Sequence, residues 1–298
     1  MFPNTRLRFA LSCLTITLSL ILSGCNTSED LSFEEASVEL SLRPLLASTD
    51  LSIGKNRLVF GLLDSQNAPV ISDAAIMELF YSDETEIINK GKVAAAWHSW
   101  PTGLGGVFVT EIDFDAAGAW FAEISPVNGN NKAELGRLIL TVSETPKTPS
   151  VGSHAPPSLS HQSLQDAPLS QLTSDPEPDR VLYSVRISEA IKSGQPSLIA
   201  FVTPSFCKSA TCGPQLEVVK QLRTSYGGQV HVIHAEIYSN PQEMSSGIES
   251  ASLSTTVEEW NLPSEPWVFV IDSDGKISGK FEGYASFEEI SKKLQLVI

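Results

Sequence analysis

The chain has 298 residues, and 35 acidic side chains against 20 basic ones give it a formal charge of −15. A surface of that sign repels phosphate backbones and anionic lipid headgroups, which excludes nucleic acid as a partner.

Arg6 and Arg8 are the only charged residues before Glu29, and an apolar run from Phe9 to Leu22 follows them. A basic start, a hydrophobic stretch and small residues form the layout of a secretory signal. The run is short of the roughly 20 residues that cross a bilayer as a helix. After it come Leu22-Ser23-Gly24-Cys25 and a polar tail, and this tetrapeptide resembles the lipobox of bacterial lipoproteins. The resemblance implies loss of residues 1–24, a diacylglycerol on Cys25, and a chain anchored to a cell membrane on its extracytoplasmic side. The alternative is an ordinary signal anchor in which Cys25 is incidental. Removal of the signal shifts the charge from −15 to −17, and Cys13 leaves with it. Cys207 and Cys212 are then the free cysteines, in a compartment where a disulfide persists.

The remaining length suits two ordinary domains. Residues 25–50 are polar and acidic and read as a tether. Residues 51–143 read as all-β, with strands expected at Asn56–Leu63, Ala74–Tyr81, Val93–Trp97, Gly106–Phe114, Ala119–Ile124 and Leu135–Val142. These are short, β-branched and aromatic, and bounded by Gly, Asn, Asp and Pro. Such spacing predicts a β-sandwich. Phe60 through Val70, with Gly118-Ala119-Trp120-Phe121, resembles the small immunoglobulin-like domains of bacterial envelope proteins. Trp97-His98-Ser99-Trp100 reads either as an aromatic contact surface or as edge aromatics of that domain.

Residues 144–180 carry seven prolines among many serines and read as a semi-extended linker, part of which can lie against the next domain. His154 and His161 fall in it and are expected to be solvated.

From residue 181 strands alternate with helices. A short helix near Ser188 ends by Gly194, and Leu198–Val202 is a continuous apolar strand. Pro214–Tyr226 is helical, Gln229–Ile237 a strand, and Thr256–Trp260 a helical turn. Trp267–Ile271 and Lys276–Phe281 flank the turn Asp272-Ser273-Asp274-Gly275, and Ser286 with Glu289 forms a capping box for a last helix. This order is that of an α/β sandwich.

Here the residues resemble the thioredoxin-like fold, over residues 181–298. Cys207 follows a buried strand, and Cys212-Gly213-Pro214 opens the next helix. Leu262 through Trp267 leads into the hairpin where this fold keeps a cis-proline, and Asp274-Gly275-Lys276 with Phe281-Glu282-Gly283 matches the hairpin of extracytoplasmic members. The resemblance implies thiol–disulfide exchange with exported proteins through Cys207 and Cys212, with Pro266 and its neighbour Glu265 holding the substrate strand. No cofactor is implied.

The chain departs from Cys-x-x-Cys. Four residues separate Cys207 from Cys212, Gln215 stands where a second cysteine would follow Cys-Gly-Pro, and Leu198–Val202 lacks a buried acid. The start of a helix favours a thiolate at Cys212, and Lys208 does so for Cys207, so either is a candidate nucleophile. A purely structural disulfide in a non-catalytic binding or scaffold protein is the competing reading. Copper delivery, as in relatives with a cysteine pair and a downstream histidine, is a third reading. His231 and His234 are the last histidines and alternate on one strand, so it is the weakest of the three and no metal ligand is assigned.

Overall fold

The computed structural model describes residues 40–83, 85–103, 105–127, 135–207, 209–246 and 250–298. The expected signal, the lipidation position Cys25 and Lys208 lie outside the described residues.

Seven strands fill the N-terminal half: β1 (Arg43–Leu46), β2 (Gly54–Leu63), β3 (Ala74–Ser82), β4 (Ile87–Ser99), β5 (Gly106–Phe114), β6 (Gly118–Pro126) and β7 (Gly136–Val142). They pair antiparallel in one sheet, in the order β1-β2-β5-β4-β3-β6-β7. Within it β2 lies beside β5 while β3, β4 and β5 run as a meander, the arrangement of a Greek key. The two edges meet, because the Ser41 and Leu42 N–H groups donate to the Leu135 carbonyl at 2.9 and 3.1 Å. The sheet is thus barrel-like. Its interior holds Phe60, Met77, Phe108, Phe114, Trp120 and Leu140. Strand β7 shows the pattern behind this: Leu138, Leu140 and Val142 are buried, while Arg137, Ile139 and Thr141 are exposed.

This corrects the expected two-sheet, immunoglobulin-like sandwich. The difference lies in β4, expected only over Val93–Trp97 and in fact 13 residues long. Its first part pairs with β3 and its last residues, Ala96–Ser99, pair with β5, so one strand carries the sheet round the corner. A register shift opposite Leu79 and Phe80 bends it, with Gly91 at φ 92°. The polar Asn89-Lys90-Gly91-Lys92 stretch looks like a turn in sequence.

In the C-terminal half, β8 (Ser197–Val202) runs parallel to β9 (His231–Glu236) and antiparallel to β10 (Trp267–Ile271), which forms a hairpin with β11 (Ile277–Glu282). The order is β11-β10-β8-β9. Helices α1 (Leu169–Leu172), α2 (Ile187–Lys192), α3 (Cys212–Tyr226), α4 (Thr255–Glu259) and α5 (Phe287–Leu294) complete it. Leu198, Ala200 and Val202 face a core shared with Leu216 and Val219 of α3 and Ile290 of α5. Ile199 and Phe201 face the other way, onto Ile187 of α2, Val257 of α4 and Trp260. A four-stranded sheet is therefore covered on both faces, which is why β8 is apolar at every position but Ser197. The Ser286–Glu289 capping box opens α5 as expected.

Residues 38–298 form one compact unit. Val59, Val107 and Val109, on the outside of the barrel, join the core of α3, α5 and β8. Strand β5 is therefore buried on both faces from Val107 to Thr110. The proline-rich segment lies along the second half: Gly152 N–H donates to Ile277 O at 2.8 Å and Ala155 N–H to Gly275 O at 2.9 Å, extending the sheet beside β11. Further on, Ser158 Oγ accepts from Trp260 Nε1 at 2.6 Å. His161, expected to be solvated, is buried, and its Nδ1 accepts from Ile187 N–H at 3.3 Å. Burial lowers this imidazole to about 4. Proline excludes a segment from sheet interiors, but leaves it free to dock along an edge.

Candidate functional site: the cystine loop and its cavity

Buried β8 ends at Val202 and delivers the chain into the loop that carries Cys207. Ser205 pins the loop's start, its N–H donating to Ser174 Oγ at 3.2 Å and its Oγ to Ser174 O at 2.5 Å. Cys207 and Cys212 form a disulfide with a Cα–Cα distance of 6.0 Å, inside the usual range. Cys212 is the first residue of α3 and has no exposed surface. Cys207 is half-buried. The two sulfurs therefore differ in access, which their spacing alone does not decide.

Two hydroxyls continue from the Cys207 sulfur. Ser209 Oγ is 3.3 Å from Cys207 Sγ and 2.7 Å from Thr211 Oγ1. Pro214 occupies the first turn of α3, where a missing N–H leaves no helical bond unmade. Gln215, in place of a second cysteine, is buried and accepts from Ala285 N–H through Oε1 at 2.7 Å, tying α3 to the exit of the hairpin.

The Glu265–Pro266 peptide bond is cis. Pro266 is buried, and its carbonyl accepts from Gly283 N–H at 2.9 Å. Next to it, Ser264 Oγ donates to Glu282 Oε1 at 2.6 Å. The same carboxylate accepts from Thr49 Oγ1 at 2.6 Å and from Asp50 N–H at 3.0 Å. Residues 49 and 50 were expected to belong to a tether; here they bind the hairpin, and β1 just before them is part of the barrel. The half-buried Glu265 faces a cavity of about 650 Å³. Ser209, Ala210 and Thr211 of the cystine loop line it too, and the barrel closes it with Leu45, Leu46, Trp97 and Trp100. Of the sequence-predicted residues, Glu265 lines this cavity and Pro266, Cys207 and Cys212 do not; Pro266 and Cys212 adjoin the lining residues Glu265 and Thr211 in sequence, and Cys207 Sγ lies 3.3 Å from Ser209 Oγ.

The barrel is held in place by charged bonds. Arg57 of β2 donates to Glu289 of α5 from Nε and Nη2, at 2.9 and 3.0 Å, and to the Glu282 and Tyr284 carbonyls at 2.9 and 2.7 Å. His98 Nδ1 lies 3.0 Å from the second Glu289 oxygen, and Tyr284 OH donates to Ser99 O at 3.0 Å. Burial alone raises the Glu289 carboxyl, yet His98 and Arg57 outweigh it and hold the group at about 2. Of the Trp-His-Ser-Trp stretch, Trp97 packs edge-on against Phe108, His98 pairs with Glu289, and Trp100 reaches the cavity.

Behind the cystine loop lies a buried polar group. His234 Nε2 donates to Val202 O at 2.9 Å, since a carbonyl only accepts; its Nδ1 then accepts from Tyr183 OH at 2.7 Å. Burial lowers the His234 imidazole and raises the Tyr183 phenol. With both nitrogens engaged, His234 has no free position for a metal. Among the described residues no group of three or more His, Cys, Asp or Glu side chains is placed to hold one. Strand β8 lacks a buried acid, but Glu236 of β9 sits in register with Val202 and is buried, accepting from Ser174 N–H and Oγ at 2.8 Å each.

Parallel β8–β9, the antiparallel hairpin, the flanking helices and the cis-proline agree with the arrangement expected from the motifs. The C-terminal half thus has a four-stranded sheet with one parallel and two antiparallel pairings, covered by helices on both faces. No protein-family model matches the chain, and no curated protein does. Among solved structures, a thiol:disulfide interchange protein of the thioredoxin family from Chlorobium tepidum TLS is similar over 39% of this chain and 89% of that one, at 13% identity and TM-score 0.31. MtrC from Shewanella baltica OS185 is similar over 43% of this chain and 27% of that one, at 14% identity and TM-score 0.24.

Sequence reasoning missed Leu45 and Leu46, hidden in an acidic stretch, and Ser209 with Thr211. The hydroxyls had a signal in their placement between two cysteines. The leucines had none, because only closure of the barrel brings β1 to the cavity.

Proposed function

We propose that this protein performs thiol–disulfide exchange with exported partner proteins, with Cys207 as the sulfur that meets the partner and Cys212 as the resolving one. The observation that carries the reading is the unequal exposure of the two sulfurs: Cys207 is half-buried, while Cys212 is fully buried at the start of α3. A partner thiolate attacks Cys207 Sγ, the bond to Cys212 breaks, and Cys212 leaves as a thiolate favoured by the free N–H groups and dipole of the helix start. A second partner thiolate then attacks the partner's own sulfur in the mixed disulfide and releases Cys207 as a thiolate. The partner loses two electrons to form a disulfide, and the cystine gains them. The reverse sequence reduces a partner disulfide. Pro266 offers no N–H beside the site, and Glu265 lines the substrate cavity.

We further propose that lipid on Cys25 holds the chain at a membrane, outside the cytoplasm. The basic start, the apolar run and Leu22-Ser23-Gly24-Cys25 support this. A change of mass on blocking lipoprotein processing tests it, and an unchanged mass removes it.

The reduction potential of the Cys207–Cys212 pair tests the exchange reading. A value well above about −300 mV supports turnover, whereas one below it marks a structural bond and leaves a non-catalytic scaffold as the function.

A further inference from the structure

The barrel walls in the cavity at the cystine loop, and this carries an inference about what the site accepts. We propose that the barrel wall is a selectivity pocket for an extended polypeptide with a bulky apolar residue next to its reactive cysteine and a basic residue opposite Glu265. The proposal rests on the exchange reading for its purpose, but not for its test.

Three observations point to this occupant. First, the cavity lies beside the cystine loop: Ser209 lines it, and Ser209 Oγ is 3.3 Å from Cys207 Sγ. Whatever fills it therefore sits against the loop that carries the exchanging sulfur. Second, the wall opposite the loop is apolar and comes from the barrel: Leu45, Leu46, Val70, Trp97 and Trp100. At about 650 Å³ the cavity holds more than one side chain and falls in the range of organic ligand sites. Third, Glu265 is the one charged side chain among the described lining residues, in a protein of charge −15. That sign disfavours a small acidic thiol such as glutathione and favours a basic flank. The backbone N–H and C=O of Glu265 make no hydrogen bond among the described residues, so an extended strand has a pairing edge there.

The barrel is fixed rather than hinged. Arg57 and Thr49 tie it to Glu289 and Glu282, so the apolar wall stands in place before a partner arrives.

The test uses the full chain and short synthetic peptides in which Ser replaces the reactive Cys, so that binding is read without exchange. A peptide with Leu beside that Ser and an Arg flank is expected to bind about tenfold more tightly than one with Gly and Asp there. Leu45→Glu, at a position 45% exposed and so tolerant of change, is expected to remove that preference. The urea midpoint of Leu45→Glu, expected to stay close to that of the unchanged chain, shows that the loss of preference is not a loss of folding. Equal binding of the two peptides, a preference that survives Leu45→Glu, or a dimer whose second copy fills the cavity and resists the peptide overturns the proposal. If the Leu/Arg peptide binds selectively but the disulfide never exchanges, the pocket stands and the exchange reading falls.

Discussion

Arg57 of β2 forks onto Glu289 of α5, with Nε and Nη2 at 2.9 and 3.0 Å from its two carboxylate oxygens, and so locks the barrel to the C-terminal half. The two side chains are only 13% and 20% exposed, which puts the pair among those whose disruption leaves a stranded charge. Arg57→Ala is expected to lower unfolding free energy by about 3 kcal/mol, measured by urea denaturation. The Glu289 carboxyl is depressed from 4.5 to about 2 in the folded protein. A depressed carboxylate stabilises above its unfolded value and loses that stabilisation as pH falls through its folded one. Stability should therefore hold above about pH 4.5 and drop towards pH 2, and Glu289→Gln should flatten this part of the curve. Asp50, also lowered, acts in the same direction.

Replacing each cysteine by serine should give unequal outcomes. Cys212→Ser leaves the half-exposed Cys207 thiol and is expected to accumulate mixed disulfides, visible as added mass on non-reducing gels. Cys207→Ser leaves a sulfur with no exposed surface and should trap little. Equal trapping by both variants contradicts the assignment of Cys207 as the partner-facing sulfur.

Ser209→Ala removes the hydroxyl 3.3 Å from Cys207 Sγ. That hydroxyl donates to the thiolate once the disulfide opens, and hydrogen bonds to charged groups are the stronger kind. Alkylation of reduced Cys207 at neutral pH should slow by roughly three- to tenfold. Thermal stability of the oxidised protein should hardly move, since Ser209 is exposed.

Ser158→Ala should destabilise the chain by about 1–3 kcal/mol, because the buried Trp260 indole N–H then loses its acceptor. Thermal unfolding checks this: a midpoint lowered by several degrees identifies the proline-rich segment as a docked part of the fold, and an unchanged midpoint identifies it as a dispensable link.

Much of this molecule was legible in its sequence. Short β-branched and aromatic runs between turn residues placed six of the seven barrel strands, and the continuous apolar run Leu198–Val202 marked a strand covered on both faces. Gly275 at φ 77° closes the hairpin at the turn that Asp272-Ser273-Asp274-Gly275 announced, with Asp272 Oδ1 accepting from Asp274 and Lys276 N–H. Cys207, Cys212, Glu265 and Pro266 are candidates through a resemblance carried by local motifs, since a cysteine before a helix and a proline before a strand are readable within a few residues. These features depend on short-range physics: rotamers, caps and the alternation of side chains along a strand.

Other features depended on residues far apart in the chain. Nothing local in Arg43-Pro44-Leu45-Leu46 distinguishes a tether from a strand; partners at Phe60–Leu63 make it one. Nor does the β4 sequence reveal that it pairs with β3 and then β5, which replaces two packed sheets by one curved one. His161 looked solvated among prolines and serines, yet docking along α2 buries it. The sequence by itself determined which residues are the candidates for sulfur chemistry and which elements hold them. Only the tertiary structure decided that Cys207 is the more exposed cysteine and that the barrel walls the cavity beside the cystine loop, because exposure and enclosure are set by segments more than 100 residues apart meeting around one space.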